Sequence, residues 1–411
     1  DRALEILDLN NSDSPLDDLV NHCNSVLSRK GEATGLALAS AVVESWRRLP
    51  ISDHLAFFEY ISDNFGPDIE ELTLTLDKYR DRPCQELLTK IHKVSEPRRQ
   101  ELFRRINAAP DGLEVLIHMR ESLGKLIQKH SKLDSIDMDF IHLFGSWFNK
   151  GFLRLENINW QTPAATLEKL IQYESVHEIH GWDDLRRRLA KDRLCFAYFH
   201  PVIPDEPIIF VEVALVNGIA RAIEPLLTTV PGSPDNADTA VFYSINNCQP
   251  GLTGISFGNL LIKQVVSVLQ QEHPKLKNFV TLSPIPGLRK WMAIEYPEFH
   301  SKLENSPNQE EFVGCVIEYL TTLRKGKLID PVARFHLGNG AMLERVNSQA
   351  DLSQRGKNES YGFMVNYLYE MDSIVINHEQ LMEHGTIAMS KEVKGSLNSF
   401  RGSSATLRKK N

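Results

Sequence analysis

What the 411-residue chain lacks narrows its function before any motif is weighed. No uninterrupted apolar stretch approaches the ~18 residues that a membrane-spanning helix requires, so no span is expected. Its five cysteines, Cys23, Cys84, Cys195, Cys248 and Cys315, are odd in number and scattered, with no pair at metal or redox spacing. They read as reduced thiols in a cytoplasmic compartment rather than as a disulfide framework. An excess of positive charge is missing too: 46 Lys and Arg against 54 Asp and Glu leave a net charge of −8, so nucleic acid is not an expected partner. Internal repeats and low-complexity tracts are also absent. The chain begins at Asp1 rather than methionine, which leaves open whether a targeting segment precedes it.

What remains is an ordinary globular composition, 42% apolar and 24% charged, long enough for two domains. Up to about Leu155 the apolar residues recur at helical spacing. Ile51, Leu55, Phe58, Ile61 and Phe65 form one stripe ended by Gly66-Pro67, and Asp111 reads as the N-cap of another through Leu113, Leu116, Ile117, Leu123 and Ile127. Residues 1–157 are therefore expected to be an all-helical bundle domain, and without polar clusters at ligand spacing it reads as a packing or assembly module.

The texture changes after Asn157-Ile158-Asn159-Trp160-Gln161-Thr162-Pro163. Strands are expected at Leu194 to Phe199 and Pro207 to Val216, around a Pro204-Asp205-Glu206 turn, and again at Thr239 to Ile245 and Asn278 to Leu282. Between the last two, Leu261, Val265, Val268 and Leu269 mark a helix from Gly258 to Gln271. Residues 158–401 thus read as a mixed-sheet α/β domain, followed by a flexible basic tail at 402–411, giving an α+β chain.

Chemistry-bearing residues concentrate in the second domain. Phe279-Val280-Thr281-Leu282 runs into Ser283-Pro284-Ile285-Pro286-Gly287, and prolines flanking an isoleucine are expected to end both helix and ladder, fixing Ser283 at a strand lip. Ser-Pro also begins ordinary turns. Arg334-Phe335-His336-Leu337-Gly338-Asn339-Gly340-Ala341 sets one histidine between apolar residues and a Gly-Asn-Gly turn, where a packed core histidine is the alternative. Gln249-Pro250-Gly251-Leu252-Thr253-Gly254-Ile255-Ser256-Phe257-Gly258 leads from strand to helix, with glycines that let backbone approach a pyrophosphate or simply turn the chain. It fits neither the P-loop nor the dinucleotide fingerprint, and no Gly-x-Ser-x-Gly elbow surrounds Ser283 or Ser244. His177 and His180, flanked by Glu174 and Glu178, read as a solvated helix face rather than a metal site, since no third ligand accompanies them.

Together with Tyr243-Ser244-Ile245, these stretches resemble the malonyl-CoA decarboxylase family over most of residues 170 to 370. The resemblance implies an acetyltransferase-like (GNAT-like) second domain in which Ser283 and His336 are the catalytic pair. It further implies a coenzyme A loop of Thr253, Gly254, Ile255, Ser256, Phe257, Gly258 and Asn259, with Tyr369 of Val365-Asn366-Tyr367-Leu368-Tyr369 holding substrate or His336. The activity implied is decarboxylation of malonyl-CoA to acetyl-CoA and carbon dioxide, a lyase step of fatty acid metabolism with no metal and no cofactor beyond the CoA thioester itself. A homo-oligomer, dimer or tetramer, through the helical domain is implied as well. The chain departs from the animal enzymes in carrying Ser256 where they have glutamate, so no catalytic role passes to Ser256, and its shorter spacing before the histidine looks bacterial. An acyl-CoA-dependent acyltransferase and a non-catalytic acyl-CoA sensor are the alternatives.

Overall fold

The computed structural model describes residues 14–28, 32–149, 151–255, 258–305 and 309–404. They divide into two compact units, one of residues 1–154 with 199–206 and 249–257, the other of residues 155–198, 207–248 and 258–411.

The first unit is built from helices, among them Pro15–Ser28, Glu32–Arg48, His54–Asn64, Arg98–Asn107, Gly112–Ile127 and Asp134–Trp147. Aromatic residues fill its centre: Phe57, Phe58, Phe103, Phe140 and Phe144 are fully buried, and the Phe103 and Phe140 rings stack at 4.2 Å. Each such ring contributes about 2 to 3 kcal/mol relative to exposure. The buried charges are paired, Arg99 with Asp139 and Arg120 Nε with Asp137 at 2.8 Å. Two details differ from the sequence reading. Ile51 is 85% exposed in a short turn ahead of the helix, and Phe57, outside the expected stripe, is buried alongside Phe58, Ile61 and Phe65. Asp111 does precede its helix, but its carboxylate accepts from Arg47 Nη2 at 2.9 Å instead of capping.

The second unit rests on a sheet of strands β1 (Arg154–Ile158), β2 (Arg193–His200), β3 (Ile203–Val216), β4 (Thr239–Asn247), β5 (Asn278–Thr281), β6 (Ser283–Pro284), β9 (Met342–Asn347) and β10 (Met364–Leu368). The order is β1-β2-β3-β4-β5-β10-β6 with β9 also on β10, while β7 (Leu323–Arg324) and β8 (Lys327–Leu328) form a separate hairpin. β3 pairs antiparallel with β4, β4 parallel with β5, and β10 antiparallel with β5, β6 and β9. Helices first and a mixed sheet after is the α+β order expected. One face of the sheet packs Ala214, Val241, Tyr243, Val280, Leu282 and Met364 into a continuous core.

The expected turn at Pro204-Asp205-Glu206 lies inside β3 instead, and the chain reverses at Pro201-Val202. Proline's fixed φ suits extended chain, so a Pro-rich run need not turn. β1 crosses the position at which the sequence divides the domains, and the final helix, Lys391–Ser404, extends into the expected tail, whose residues 405–411 lie outside the described residues.

The helix Pro331–Gly338 is held in place from its far end. Gly340 adopts φ 84°, and a Cβ there would stand 2.0 Å from the Ile374 carbonyl oxygen, while Asn377 Nδ2 donates to the Gly340 carbonyl at 3.0 Å. Gly340→Ala is expected to lower unfolding free energy by about 2 kcal/mol or more, through backbone strain and overpacking together. Denaturant titration checks this, and an unchanged midpoint would contradict it.

Candidate active site

β4 and β5 run parallel from Thr239 opposite Asn278 to Phe242 opposite Thr281, and the Leu282 amide still donates to the Phe242 carbonyl at 3.0 Å. Beyond that point the strands part. β4 stays with β3 as far as Asn247, whereas Ser283 and Pro284 pair with Val365 and Met364 of β10. The prolines thus do not end the ladder, as the sequence suggested. They leave it on β10, which already pairs with β5 at Val280, while the contact with β4 is given up, because Ser283 still has an N–H to give and Pro284 needs none. β4 also carries an extra residue: Glu212 faces Ser244 and Val213 faces Phe242, so Tyr243 is a bulge that sharpens the divergence. A cavity of about 270 Å3 opens between the parted strands, with Phe242, Tyr243 and Ser244 on one wall and Ser283, Phe335 and His336 on the other.

Ser283 is buried and lies two residues after Thr281, so both project from the same face of the chain. Its Oγ donates to Thr281 Oγ1 at 2.9 Å, and Thr281 Oγ1 also accepts from the Tyr367 amide at 3.1 Å. Asn366, fully buried beside them, donates from Nδ2 to the Thr281 carbonyl at 2.8 Å and is itself held by Asn347 Nδ2 at 2.7 Å. The serine hydroxyl therefore sits in a frame whose other members are fixed by backbone.

His336 comes from the helix Pro331–Gly338, whose N-terminus Asp330 caps by accepting from the Ala333 amide at 2.7 Å. Burial lifts the Asp330 carboxyl to about 6. The imidazole is 2% exposed and stacks on Tyr367 with ring centres 4.7 Å apart. Its Nε2 lies 3.2 Å from Ser283 Oγ and its Nδ1 2.8 Å from the Tyr369 hydroxyl. Burial depresses its pKa to about 3, so the ring is neutral at physiological pH, and the same burial pushes the Tyr369 phenol up and keeps it protonated. With the serine proton directed to Thr281, Ser283 meets the ring as an acceptor. The neutral ring then carries its hydrogen on Nε2, and Tyr369 donates to Nδ1. One chain of donors runs from Tyr369 through His336 and Ser283 to Thr281.

The Ser-Pro-Ile-Pro-Gly turn ends at Gly287, φ 143°, where a Cβ would meet the Tyr319 hydroxyl at 2.7 Å. Among the described residues no group of three or more His, Cys, Asp or Glu is placed to hold a metal ion.

Comparison with known proteins identifies the family. The malonyl-CoA decarboxylase N-terminal domain model matches residues 65–148, and the C-terminal domain model matches residues 151–315 and 309–407. The chain belongs to the malonyl-CoA decarboxylase family. A malonyl-CoA decarboxylase structure from Rhodopseudomonas palustris is 44% identical with a TM-score of 0.87, covering 93% of this chain and 100% of that one. One from Agrobacterium vitis is 44% identical with a TM-score of 0.86, covering 92% and 99%. The mitochondrial malonyl-CoA decarboxylase of Anser anser anser is 31% identical over 357 residues, 75% of this chain and 71% of that protein.

Of the residues that resemblance to the decarboxylase family singled out, Ser283, His336 and Tyr369 stand in direct contact. The coenzyme A loop is only partly visible. Thr253 and Gly254 are exposed, Gly254 at φ 83°, but the amides of Leu252, Thr253 and Ile255 are spent on the carbonyls of Gln249, Pro250 and Leu252. Ser256 and Phe257 lie outside the described residues, and for Gly258 and Asn259 the description is limited to the start of the helix Gly258–Glu272. His177 is not on a solvated helix face: it follows the helix Ala164–Tyr173 in a loop and is 8% exposed. Thr281 and Asn366 were given no part in the chemistry by sequence. For Thr281 the signal was available, since a hydroxyl two positions before Ser283 on one strand must share its face.

Thr281→Val keeps the shape and removes the acceptor of the Ser283 proton. About a tenfold loss of kcat is expected together with a lower melting temperature, because the Tyr367 amide also loses its acceptor, with Thr281→Ser restoring most of both. Equal loss in the Val and Ser variants would show that Thr281 matters only for packing.

Proposed function

We propose that this protein decarboxylates malonyl-CoA to acetyl-CoA and carbon dioxide, with His336 and Ser283 as the catalytic pair. The observation that carries the reading is the contact of Ser283 Oγ with His336 Nε2, 3.2 Å apart in the walls of one cavity, in a chain of this family. Breaking the bond between the α-carbon and the carboxylate releases carbon dioxide and leaves an electron pair that the thioester carbonyl delocalises. That internal electron sink is why the reading asks for no metal or organic cofactor. Three tasks then fall to the protein: desolvating the carboxylate, stabilising the enolate oxygen, and delivering a proton to carbon.

The apolar walls of Phe242 and Phe335 perform the first task. The backbone of β4 at Tyr243 and Ser244, released from β5 and lining the cavity, would meet the enolate oxygen. The proton comes from His336 Nε2–H. A neutral imidazole N–H is more acidic than a thioester α-carbon, so transfer to the carbanion is downhill, and the Tyr369 hydroxyl at Nδ1 offsets the charge left on the ring. Ser283, accepting from Nε2, holds the donor in line. The start of the helix Gly258–Glu272 would receive the pyrophosphate of coenzyme A.

Ser283→Ala and His336→Ala are each expected to lower kcat about a hundredfold or more while leaving CoA binding in place. Malonyl-CoA turned over in deuterated water should give acetyl-CoA carrying solvent deuterium at its methyl carbon, with no acceptor added. Free CoA and malonate as the main products, or an intact malonyl unit until an acceptor arrives, would overturn the reading in favour of a thioesterase or a transferase.

Assembly into a homo-oligomer through the helical region is part of the same proposal, and cytoplasmic residence fits the absence of any membrane-spanning helix among the described residues. The paired helices Ile69–Asp81 and Gln85–Ser95 expose Ile69, Leu74, Leu76 and Leu88, an apolar surface suited to a second copy. Leu74→Asp with Leu88→Asp is expected to lower the mass seen by light scattering while kcat changes less than twofold. A wild-type chain that is strictly monomeric would remove the basis for this part.

A further inference from the structure

β10 is irregular at two residues beside the Ser283–His336 contact, Asn366 and Tyr367. The strand pairs with β5 at Leu368 opposite Val280 and with β6 at Val365 opposite Ser283, and no pair is registered between these two. On its other side the register with β9 shifts at the same place, from Arg345 opposite Asn366 to Leu343 opposite Tyr367. Regular antiparallel pairing across the gap would have the Tyr367 amide donate to the Thr281 carbonyl. Both groups are taken by side chains instead: the Tyr367 amide donates to Thr281 Oγ1 at 3.1 Å, and the Thr281 carbonyl accepts from Asn366 Nδ2 at 2.8 Å.

The orientation of the Asn366 amide follows from what surrounds it. Its Nδ2 also reaches the Ala220 carbonyl at 3.1 Å, and two carbonyls can only accept, so the amide oxygen must point the other way. There Asn347 Nδ2 donates to it at 2.7 Å. Asn366 is fully buried and bonded at both ends of its amide, so it has no room to turn. Because it supplies the donor for the Thr281 carbonyl, the Tyr367 amide is left for Thr281 Oγ1. That oxygen, held by an amide, accepts from Ser283 Oγ at 2.9 Å.

We propose that Asn366 is a positioning residue for the decarboxylation: by standing in for a ladder donor at Thr281 it sets the direction of the hydrogen bonds through Ser283 and keeps the His336 hydrogen on Nε2. Without Asn366 Nδ2, the Tyr367 amide returns to the Thr281 carbonyl and the ladder closes. Thr281 Oγ1 then loses its amide donor, and its hydroxyl turns to donate to Ser283. Ser283 in turn donates to His336 Nε2, the ring hydrogen moves to Nδ1, and the Tyr369 hydroxyl accepts it. The proton needed at carbon is then on the wrong side of the ring. A side chain that only packed would cost stability on removal and leave the tautomer as it was. The inference rests on the reading of Ser283 and His336 as the catalytic pair.

The test uses the full chain and malonyl-CoA. In Asn366→Leu, kcat is expected to fall about tenfold with KM changed less than about twofold. Histidine side-chain nitrogen signals of the same variant should show the His336 hydrogen moved largely from Nε2 to Nδ1. Should Asn366→Leu fail to fold, Asn366→Asp decides the matter. It keeps the shape and the oxygen that meets Asn347, but donates to the Thr281 carbonyl only when protonated. Its kcat relative to wild type should therefore rise severalfold as pH falls from about 8 to about 5.5, since burial raises a carboxyl's pKa. Wild-type kcat in Asn366→Leu, a lowered kcat with the hydrogen still on Nε2, or a pH-independent ratio for Asn366→Asp would each overturn the proposal. A wild-type chain that releases malonate in place of carbon dioxide would overturn the decarboxylase reading and this proposal with it, and product analysis tells that failure from the others.

Discussion

An imidazole that is 2% exposed is tolerated in a protein interior only if it stays uncharged and both its nitrogens are bonded, and His336 meets both conditions. Much of the surrounding structure follows from that demand. Tyr369 occupies Nδ1, Ser283 occupies Nε2, and Tyr367 covers one face of the ring. Because Ser283 passes its proton to Thr281, and Thr281 is pinned by the Tyr367 amide, the hydrogen on the ring has one place left, the nitrogen beside Ser283. Burial, usually a cost for a titratable group, here selects the protonation state and the tautomer together.

The sheet supplies the room. A parallel pair that stayed together would leave no space between Phe242 and Ser283. Keeping Ser283 and Pro284 on β10, already the neighbour of β5, while β4 remains on β3 opens the cavity with Ser283 and Pro284 still paired. Gly340 then allows the chain after the His336 helix to pass against the Ile374 carbonyl at a distance that no side chain would permit. The placement of Ser283 and His336 thus depends on strand pairing and on one close backbone approach far more than on any loop.

Much of this was legible in the sequence, and the exceptions have physical causes. Strand positions followed from β-branched and aromatic runs, and Ser283, His336 and Tyr369 from their motifs. The continued pairing of Ser283 was not legible, because proline forbids a donor but not an acceptor, and sequence does not reveal which neighbour offers one. Asp111 was legible as a helix start but not as a partner of Arg47, 64 residues away. The burial of His177 was hidden by its acidic neighbours: Glu174, which suggested a solvated face, turns inward to accept from Ser244 and Asn246 on β4. Local charge patterns predict exposure only where no distant element supplies compensating donors.

The central claim is that His336 rests as a neutral ring with its hydrogen on Nε2, poised to protonate carbon. Its folded pKa lies near 3 against about 6.5 for an exposed histidine, so the neutral ring should persist as pH falls through that window, in which the unfolded chain already takes up a proton. Side-chain nitrogen NMR of histidine-labelled protein, with His336 assigned by comparison with His336→Ala, tests this directly. The account predicts a protonated Nε2 and an unprotonated Nδ1 that accepts from Tyr369, unchanged from pH 7 to about 4.5. A doubly protonated ring near neutral pH, or a hydrogen on Nδ1 with a bare Nε2 toward Ser283, would contradict it.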